Sequence, residues 1–284
     1  MSVVTSAKGK QLVNAVMLTL TGVCTVVTVS ILFFILGYLV YNGAASLRLS
    51  FFTNLPAPVG EAGGGMANAI VGSFKALLLA SALGIPLGFL GGVYLSEYGG
   101  KTSSFILRYT TDLLNGVPSI VIGIFVYAMI VHRMKHYSLM AGGVALGIMM
   151  IPIMVRSTEE YLRAVPQAMR EGALALGAAK WKAITSVVIP AAMRGIISAT
   201  MLAIARVSGE TAPLLFTALS NNYWSSGYNQ PSATLPVMIF NYAISPYEDW
   251  HRQAWAGGFV LLSAVLLLNI IARVTMSRGI HVPR

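Results

Sequence analysis

The residues best placed for chemistry are charges inside runs that otherwise carry none. Arg206 and Glu210 stand four apart in a stretch of Ala, Ile, Val, Leu and Thr. An isolated charge at the centre of a membrane helix costs roughly 2.5–3.5 kcal/mol on insertion scales, so such a residue faces a cavity or a partner. On one continuous helix an i,i+4 pair shares a face, where each charge offsets the other. Two roles are open to it: a structural ion pair that locks helices together, or the lining of an anion path. The planar fork of Arg206 suits tetrahedral oxyanions, and Glu210 would keep such a site from holding its cargo too tightly. Pro213 follows as a candidate hinge. Lys75 is a third charge in an apolar run, and it either snorkels outward or adds a cation to the path.

A second constellation lies between Arg156 and Pro190, a stretch of mixed charge that is helix-prone in two pieces. Ser157-Thr158-Glu159-Glu160 offers a cap with early acids, and Pro166 separates it from a second helix starting near Gln167. The small residues Gly172, Ala173 and Gly177 would let another protein's backbone approach closely. Glu171 favours the helix N-terminal dipole, and Lys180 and Lys182 sit near the far end. The plain alternative is an amphipathic connector resting on the membrane face.

The elements that must position these groups are membrane helices. The chain has 284 residues, of which 56% are hydrophobic and only 10% charged, with a mean hydropathy of +0.74. Soluble domains carry about a quarter charged residues, and about 20 apolar residues span a bilayer core. Six segments qualify: Val13–Tyr41, Met66–Leu95, Leu113–Val131, Leu139–Val155, Ala191–Leu219 and Trp255–Val274. The run after Lys8 and Lys10 is too long for a signal-peptide core and reads as a retained first helix. The expected organisation is a first helix and outer loop over 1–65, a core of five helices over 66–275 containing the loop 156–190, and a tail over 276–284.

The net charge of +10 reads as topology, not nucleic-acid binding. With the N-terminus inside, the inner set is Lys8, Lys10, Lys101, Arg108, Arg156, Arg163, Arg170, Lys180, Lys182, Arg194, Arg273, Arg278 and Arg284, whereas the outer loops hold only Arg48, Arg133, Lys135 and Arg252. Positive-inside asymmetry of this kind places both termini in the cytoplasm. Tyr223, Trp224, Tyr228, Tyr247 and Trp250 in the outer loop suit an interfacial belt or a partner contact. Gly84, Gly88 and Gly92 read as close helix packing. Cys24 stands alone and says nothing of redox compartment. His132 and His136 lack further ligands, so no metal site is assigned. Gly100-Lys101-Thr102 resembles the end of a P-loop, but Leu95 stands where that motif needs glycine.

Glu171-Gly172-Ala173, Gly177, then Val187, Ile189 and Pro190 resemble the EAA loop of binding-protein-dependent ABC import permeases. The family pattern is Glu-Ala-Ala, Gly three residues on, then nine residues and Ile-x-Leu-Pro. Gly172, Val187 and Ile189 depart from it conservatively. The run Ala203–Ala218 resembles the phosphate-permease branch of that family, with its Ala-Arg-x-x-Gly-Glu-Thr-Ala-Pro-Leu-Leu-Phe-Thr-Ala pattern. Asn115-Gly116-Val117-Pro118-Ser119-Ile120-Val121 and Ala254-Trp255-Ala256-Gly257 match as well. The likeness extends from about Gly63 onward, while the first helix matches only in kind.

The resemblance implies an all-α membrane protein with the ABC importer permease fold: six transmembrane helices and a cytoplasmic helical coupling loop. It implies a non-enzymatic transport subunit in a bacterial or archaeal inner membrane. Its partners would be a second homologous permease, two ATP-binding subunits, an extracytoplasmic phosphate-binding protein and lipids, with no nucleic acid. No cofactor is expected on this chain, ATP-Mg being used by the partner ATPase. Glu171, Gly172, Ala173, Gly177, Lys180 and Pro190 would couple to that ATPase, and Arg206, Glu210 and Lys75 would line the path. The rival closest in kind is a permease for another oxyanion, molybdate or sulfate, since Arg chemistry alone does not separate them. A secondary transporter would need inverted repeats and broken midplane helices. An intramembrane enzyme would need a Ser–His pair or paired acids, and neither set appears.

Overall fold

The computed structural model describes residues 7–58, 61 and 63–279, and the side chains of 9–58, 61 and 63–274. Lys8, Arg278 and Arg284 of the inner charge set lie outside those side chains, as do residues 280–284 of the tail. All regular structure among the described residues is helical. In chain order the elements are α1 (Ala7–Ser46), α2 (Ser50–Thr53), α3 (Ala67–Val93), α4 (Lys101–Gly116), α5 (Ser119–Val126), α6 (His132–Met134), α7 (Leu139–Arg163), α8 (Gln167–Ala175), α9 (Lys180–Ala183), α10 (Ile189–Ser208), α11 (Ala212–Thr217), α12 (Leu235–Ala243) and α13 (Glu248–Gly279). Wider π-helical turns extend three of them, at Tyr94–Tyr98, Tyr127–Val131 and Ile184–Val188.

Five segments are long and apolar enough to cross a bilayer: Gly9–Ser46, Ala67–Tyr98, Leu139–Arg163, Lys180–Ser208 and Glu248–Val274. The sixth is a broken pair. Lys101–Gly116 and Ser119–Met134 meet at 101°, so the span expected over Leu113–Val131 is corrected. Pro118 is the cause: it pushes the preceding Val117 out of the helical region, to φ −71° and ψ 128°. The helix expected over Ala191–Leu219 is also divided, ending at Ser208 and resuming as α11. Residues 157–163 do not begin a new helix either; they continue α7 without a cap, because no breaker stands between Val155 and Arg163.

The core is the α3–α7 pair. A Cβ on Gly84 would stand 2.7 Å from Met150 Cβ, and one on Gly91 2.9 Å from a Val155 methyl. Gly88 and Gly92 lie as tightly against Met154 and Thr158, while Gly143 and Gly147 of α7 admit Leu79 and Leu83 in return. The small-xxx-small series is thus a seam of close backbone approach. Ala76, Ala80, Leu146, Met150, Met154, Ala203, Val207 and Leu214 complete a buried cluster around it. By contrast, α1 is exposed along nearly all its length. It meets α13 near its C-terminal end, where Tyr38 lies edge-on to Trp255 at 5.2 Å and Gly43 packs on Phe259.

The bundle has two chemically distinct ends. Arg108, Arg156, Arg163, Arg170 and Lys180 gather at the basic end. The aromatic end carries α12 and the loops around it, with Trp250 stacked on Tyr242 at 4.5 Å and with Tyr223, Trp224 and Tyr247 exposed.

Candidate functional site

Arg206 ends α10 one turn before a break. Gly209 caps that helix, Glu210 and Thr211 are non-helical, and α11 starts with Pro213 at its first turn. Glycine adds little to hold a helix together, and a proline is accommodated in the first turn of a new helix, where its missing N–H is not needed, so the chain parts over Gly209-Glu210-Thr211 and restarts at Ala212. Arg206 and Glu210 therefore do not share a helical face. Among the described residues neither side chain has an ion-pair partner. The structural reading of this pair as an internal lock is corrected on that ground.

What surrounds the break is ordered. Glycine at 123 lets α11 approach α5: a Cβ there would stand 2.6 Å from Pro213 Cα. The stretch after the Val117–Pro118 bend thereby packs on the stretch after Glu210, and two motifs far apart in sequence become one unit. Thr217 returns its hydroxyl to the Pro213 carbonyl at 2.7 Å. Along α10, Ala199, Ala203 and Val207 are buried, whereas Arg194, Ser198, Leu202 and Arg206 stand exposed at four-residue intervals. Arg206 thus projects from a partly polar face that the rest of this chain leaves uncovered.

Lys75 does not join that face. Its Nζ donates to the Ser225 carbonyl at 3.3 Å and lies 5.9 Å from the Tyr228 ring centroid. It reaches toward the aromatic end, where Asn68 also ties α3 to the same loop through the Asn221 carbonyl at 2.7 Å.

The second constellation forms a compact turn at the basic end. Pro166 precedes α8 in an extended conformation and Gln167 opens the helix, as the sequence predicts. Glu171 and Gly172 are exposed and Ala173 is partly so; nothing lies within 4 Å of the position a Cβ would take on Gly172 or Gly177. Gly177 has a further role. Its φ is +79°, its N–H bonds to the Leu174 carbonyl at 2.9 Å, and the Ala178 N–H bonds to the Ala173 carbonyl at 3.2 Å. This is a Schellman stop, which requires a left-handed residue at that position. Beside it Leu176 is 90% exposed, an apolar side chain left uncovered by the described residues. Lys180 and Lys182 belong to α9, not to the end of α8. Lys180 turns inward: its Nζ donates to the Glu97 carbonyl at 2.6 Å and lies 4.9 Å from the Tyr98 ring centroid. Pro190 follows the Ile184–Val188 π turn, in which the Ile189 N–H bonds to the Ile184 carbonyl. A proline has no N–H for Ser186 and its ring crowds that carbonyl, and the wider turn accommodates it.

Sequence reasoning missed the acids that organise this end. Glu159 is 4% exposed and takes Arg108 at 2.7 Å, Arg163 at 3.2 Å and Arg156 at 3.4 Å. Arg156 also forks onto Asp112 of α4. Glu97, in the π turn after α3, pairs with Arg170 at 2.9 Å. The available signal was an acid flush with the end of an apolar run.

Long apolar helices, a glycine-sealed central pair, a broken half-span and a small exposed helix at one end define a multi-pass membrane permease. Residues 84–278 match the family described as "Binding-protein-dependent transport system inner membrane component", and the chain belongs to that family. It is 46% identical over 251 residues to the phosphate transport system permease protein PstA of Yersinia pestis, covering 88% of this chain and 85% of that one. It is 43% identical to PstA of Pasteurella multocida, over 93% of this chain and 95% of the relative. Among solved structures the fold resembles a bacterial alginate ABC transporter in complex with its periplasmic protein, with a TM-score of 0.67 at 13% identity over 95% of this chain and 96% of that one. The MetNI methionine ABC transporter gives a TM-score of 0.57 at 17% identity, covering 74% and 92%.

Proposed function

We propose that this chain is the membrane-spanning permease subunit of an ATP-driven phosphate importer. The observation that carries the substrate is the identity of more than 40% to several proteins named as phosphate permeases, over most of both chains. Arg206 and Glu210 fit the reading. Among the described residues both lack an ion-pair partner, with Arg206 on the exposed face of α10 and Glu210 half-buried in the break; a second permease completes the path there and Arg206 meets the anion in passage. The basic end faces the cytoplasm by the positive-inside asymmetry, and both termini lie there.

The exposed α8, with Glu171 and Gly172 exposed, Ala173 partly so and Leu176 just past its end, docks on one of two separate ATPase subunits, which bind and hydrolyse ATP-Mg. An extracytoplasmic phosphate-binding protein delivers cargo at the aromatic end. Binding of that receptor and of ATP shifts the assembly between outward- and inward-facing states.

The test is ATP-dependent uptake of radiolabelled phosphate, and separately of molybdate, into proteoliposomes holding this chain with its partners. Phosphate uptake that requires ATP supports the reading. A complex that moves molybdate and no phosphate overturns the substrate assignment.

A further inference from the structure

How α8 is fastened to the membrane helices identifies a residue that nothing above assigns. Arg170 lies in α8 directly before Glu171. Its guanidinium donates to the Leu162 carbonyl at 2.6 Å, to the Val165 carbonyl, and to Glu97 Oε1 at 2.9 Å. One side chain thus joins the end of α7, the α7–α8 turn and the end of α3. Both partners of the ion pair are largely withdrawn from water, Arg170 with 15% and Glu97 with 7% side-chain exposure. Ser96 adds a hydroxyl to the same Glu97 oxygen at 2.9 Å. From the other side of the Schellman turn, Lys180 reaches the main-chain carbonyl of Glu97. Glu97 is therefore gripped by one residue within α8 and by another just beyond its stop.

The backbone there is also unusual. Glu97 sits within the π turn Tyr94–Tyr98, where the Gly99 N–H reaches back five residues to the Tyr94 carbonyl at 2.7 Å. π turns are rare and concentrate at functional sites. Behind it, α3 and α7 are locked by the glycine seam from Gly84 to Gly92, so a displacement at Glu97 carries both helices.

We propose that Glu97 is the positioning residue that makes the docking helix α8 and the α3–α7 pair move as one body, converting motion of the ATPase into motion of the transmembrane helices. The proposal rests on the reading of α8 as the ATPase-docking element. Removing the negative charge while keeping the shape, Glu97→Gln, reduces the Arg170 ion pair to a neutral hydrogen bond at most, beside the two main-chain carbonyls. The complex then assembles and hydrolyses ATP, but hydrolysis no longer drives transport efficiently.

The test uses the complete transporter in proteoliposomes, with two readouts. The first is phosphate moved per ATP hydrolysed for the wild type, Glu97→Gln and Glu97→Asp. We expect Glu97→Gln to lower that ratio roughly tenfold, within the usual range of coupling between sites, at unchanged assembly, and Glu97→Asp to recover much of it. The second readout is independent of the transported solute. Spin labels at Gln167→Cys on α8 and Leu90→Cys on the exposed face of α3, with Cys24→Ser, report whether the two helices move together. The distance should hold constant through the ATP cycle in the wild-type background and change when Glu97→Gln is added. A wild-type distance that changes on ATP binding, or a Glu97→Gln ratio equal to wild type, overturns the proposal. A labelled wild-type complex that keeps its distance and hydrolyses ATP but carries no phosphate counts against the substrate reading alone. A chain that recruits no ATPase overturns both.

Discussion

The acids at the basic end and the charges beside the α10 break both belong to a chain of apolar helices, yet the fold treats them oppositely. Glu159 is enclosed by three arginines and Glu97 by one. Arg206 and Glu210 stand four residues apart and, among the described residues, have no ion-pair partner, because the chain parts between them. A buried carboxylate tolerates low dielectric only when its counter-charges and hydrogen bonds are complete, and at the basic end they are. Charges left incomplete in a single subunit are free to be completed by something else. The lesson is that pairing within the chain marks the structural charges here, and its absence marks the working ones. If so, stability and transport should respond in opposite order to mutation.

The largest stability effect should come from Glu159→Ala. It removes the acid shared by Arg108, Arg156 and Arg163, leaving only Asp112, on Arg156, to offset cations crowded at the α4–α7 junction. Breaking a buried pair costs about 3–5 kcal/mol; the low end, about 3 kcal/mol, applies because Arg156 and Arg163 keep 38% and 54% exposure. Thermal aggregation in detergent should fall by many degrees, and recovery of monodisperse subunit should fall with it. Gly88→Leu comes next. Met154 already occupies the space its Cβ would need, and overpacking of a tight core costs about 2 kcal/mol. The same assay should rank it below Glu159→Ala but clearly destabilised; wild-type stability would mean the α3–α7 seam is looser than its geometry.

Gly177→Ala should act locally. Holding a Cβ at φ +79° costs about 1 kcal/mol, and the strain falls on the stop of an exposed helix. Global stability should barely change, while the permease–ATPase dissociation constant rises roughly fivefold. An unchanged constant in a titration with the isolated ATPase would separate the Schellman turn from docking.

Much of this contrast was legible in the sequence. Apolar length placed the long spans, the glycines at intervals of four located the seam, and Pro166 set the start of α8. Three things were hidden, each for a physical reason. Hydropathy counts side chains and ignores backbone, so it merged the bend at Val117–Pro118 and the break at Gly209–Thr211 into continuous spans. A helical i,i+4 rule presupposes a helix, so Arg206 and Glu210 were paired on a face that does not exist. Glu97 and Arg170 are 73 residues apart, and only the folding of α3 against α7 brings them together. Around Glu159, by contrast, Arg156 and Arg163 stand at i,i+3 and i,i+4 on its own helix and were within reach of sequence reasoning, and only Arg108 is brought in by the fold.

Arg206→Gln is the smallest expected perturbation of stability and the sharpest test of the contrast. The guanidinium makes no ion pair among the described residues and its side chain is exposed, so glutamine should leave thermal stability of the isolated subunit within about 0.5 kcal/mol of wild type, as for surface substitutions generally. Glutamine keeps length and some hydrogen bonding but loses the charge and the fork that match an oxyanion. Phosphate uptake in the assembled importer should therefore fall steeply while assembly and stability hold. Arg206→Lys retains charge without the fork, and should fall between the two if anion attraction and bidentate geometry both count. Melting of the isolated subunit and uptake by the complex must be measured on the same preparations. Should Arg206→Gln lower the melting temperature as far as Glu159→Ala, the separation into structural and working charges fails, because Arg206 would then be holding the fold together.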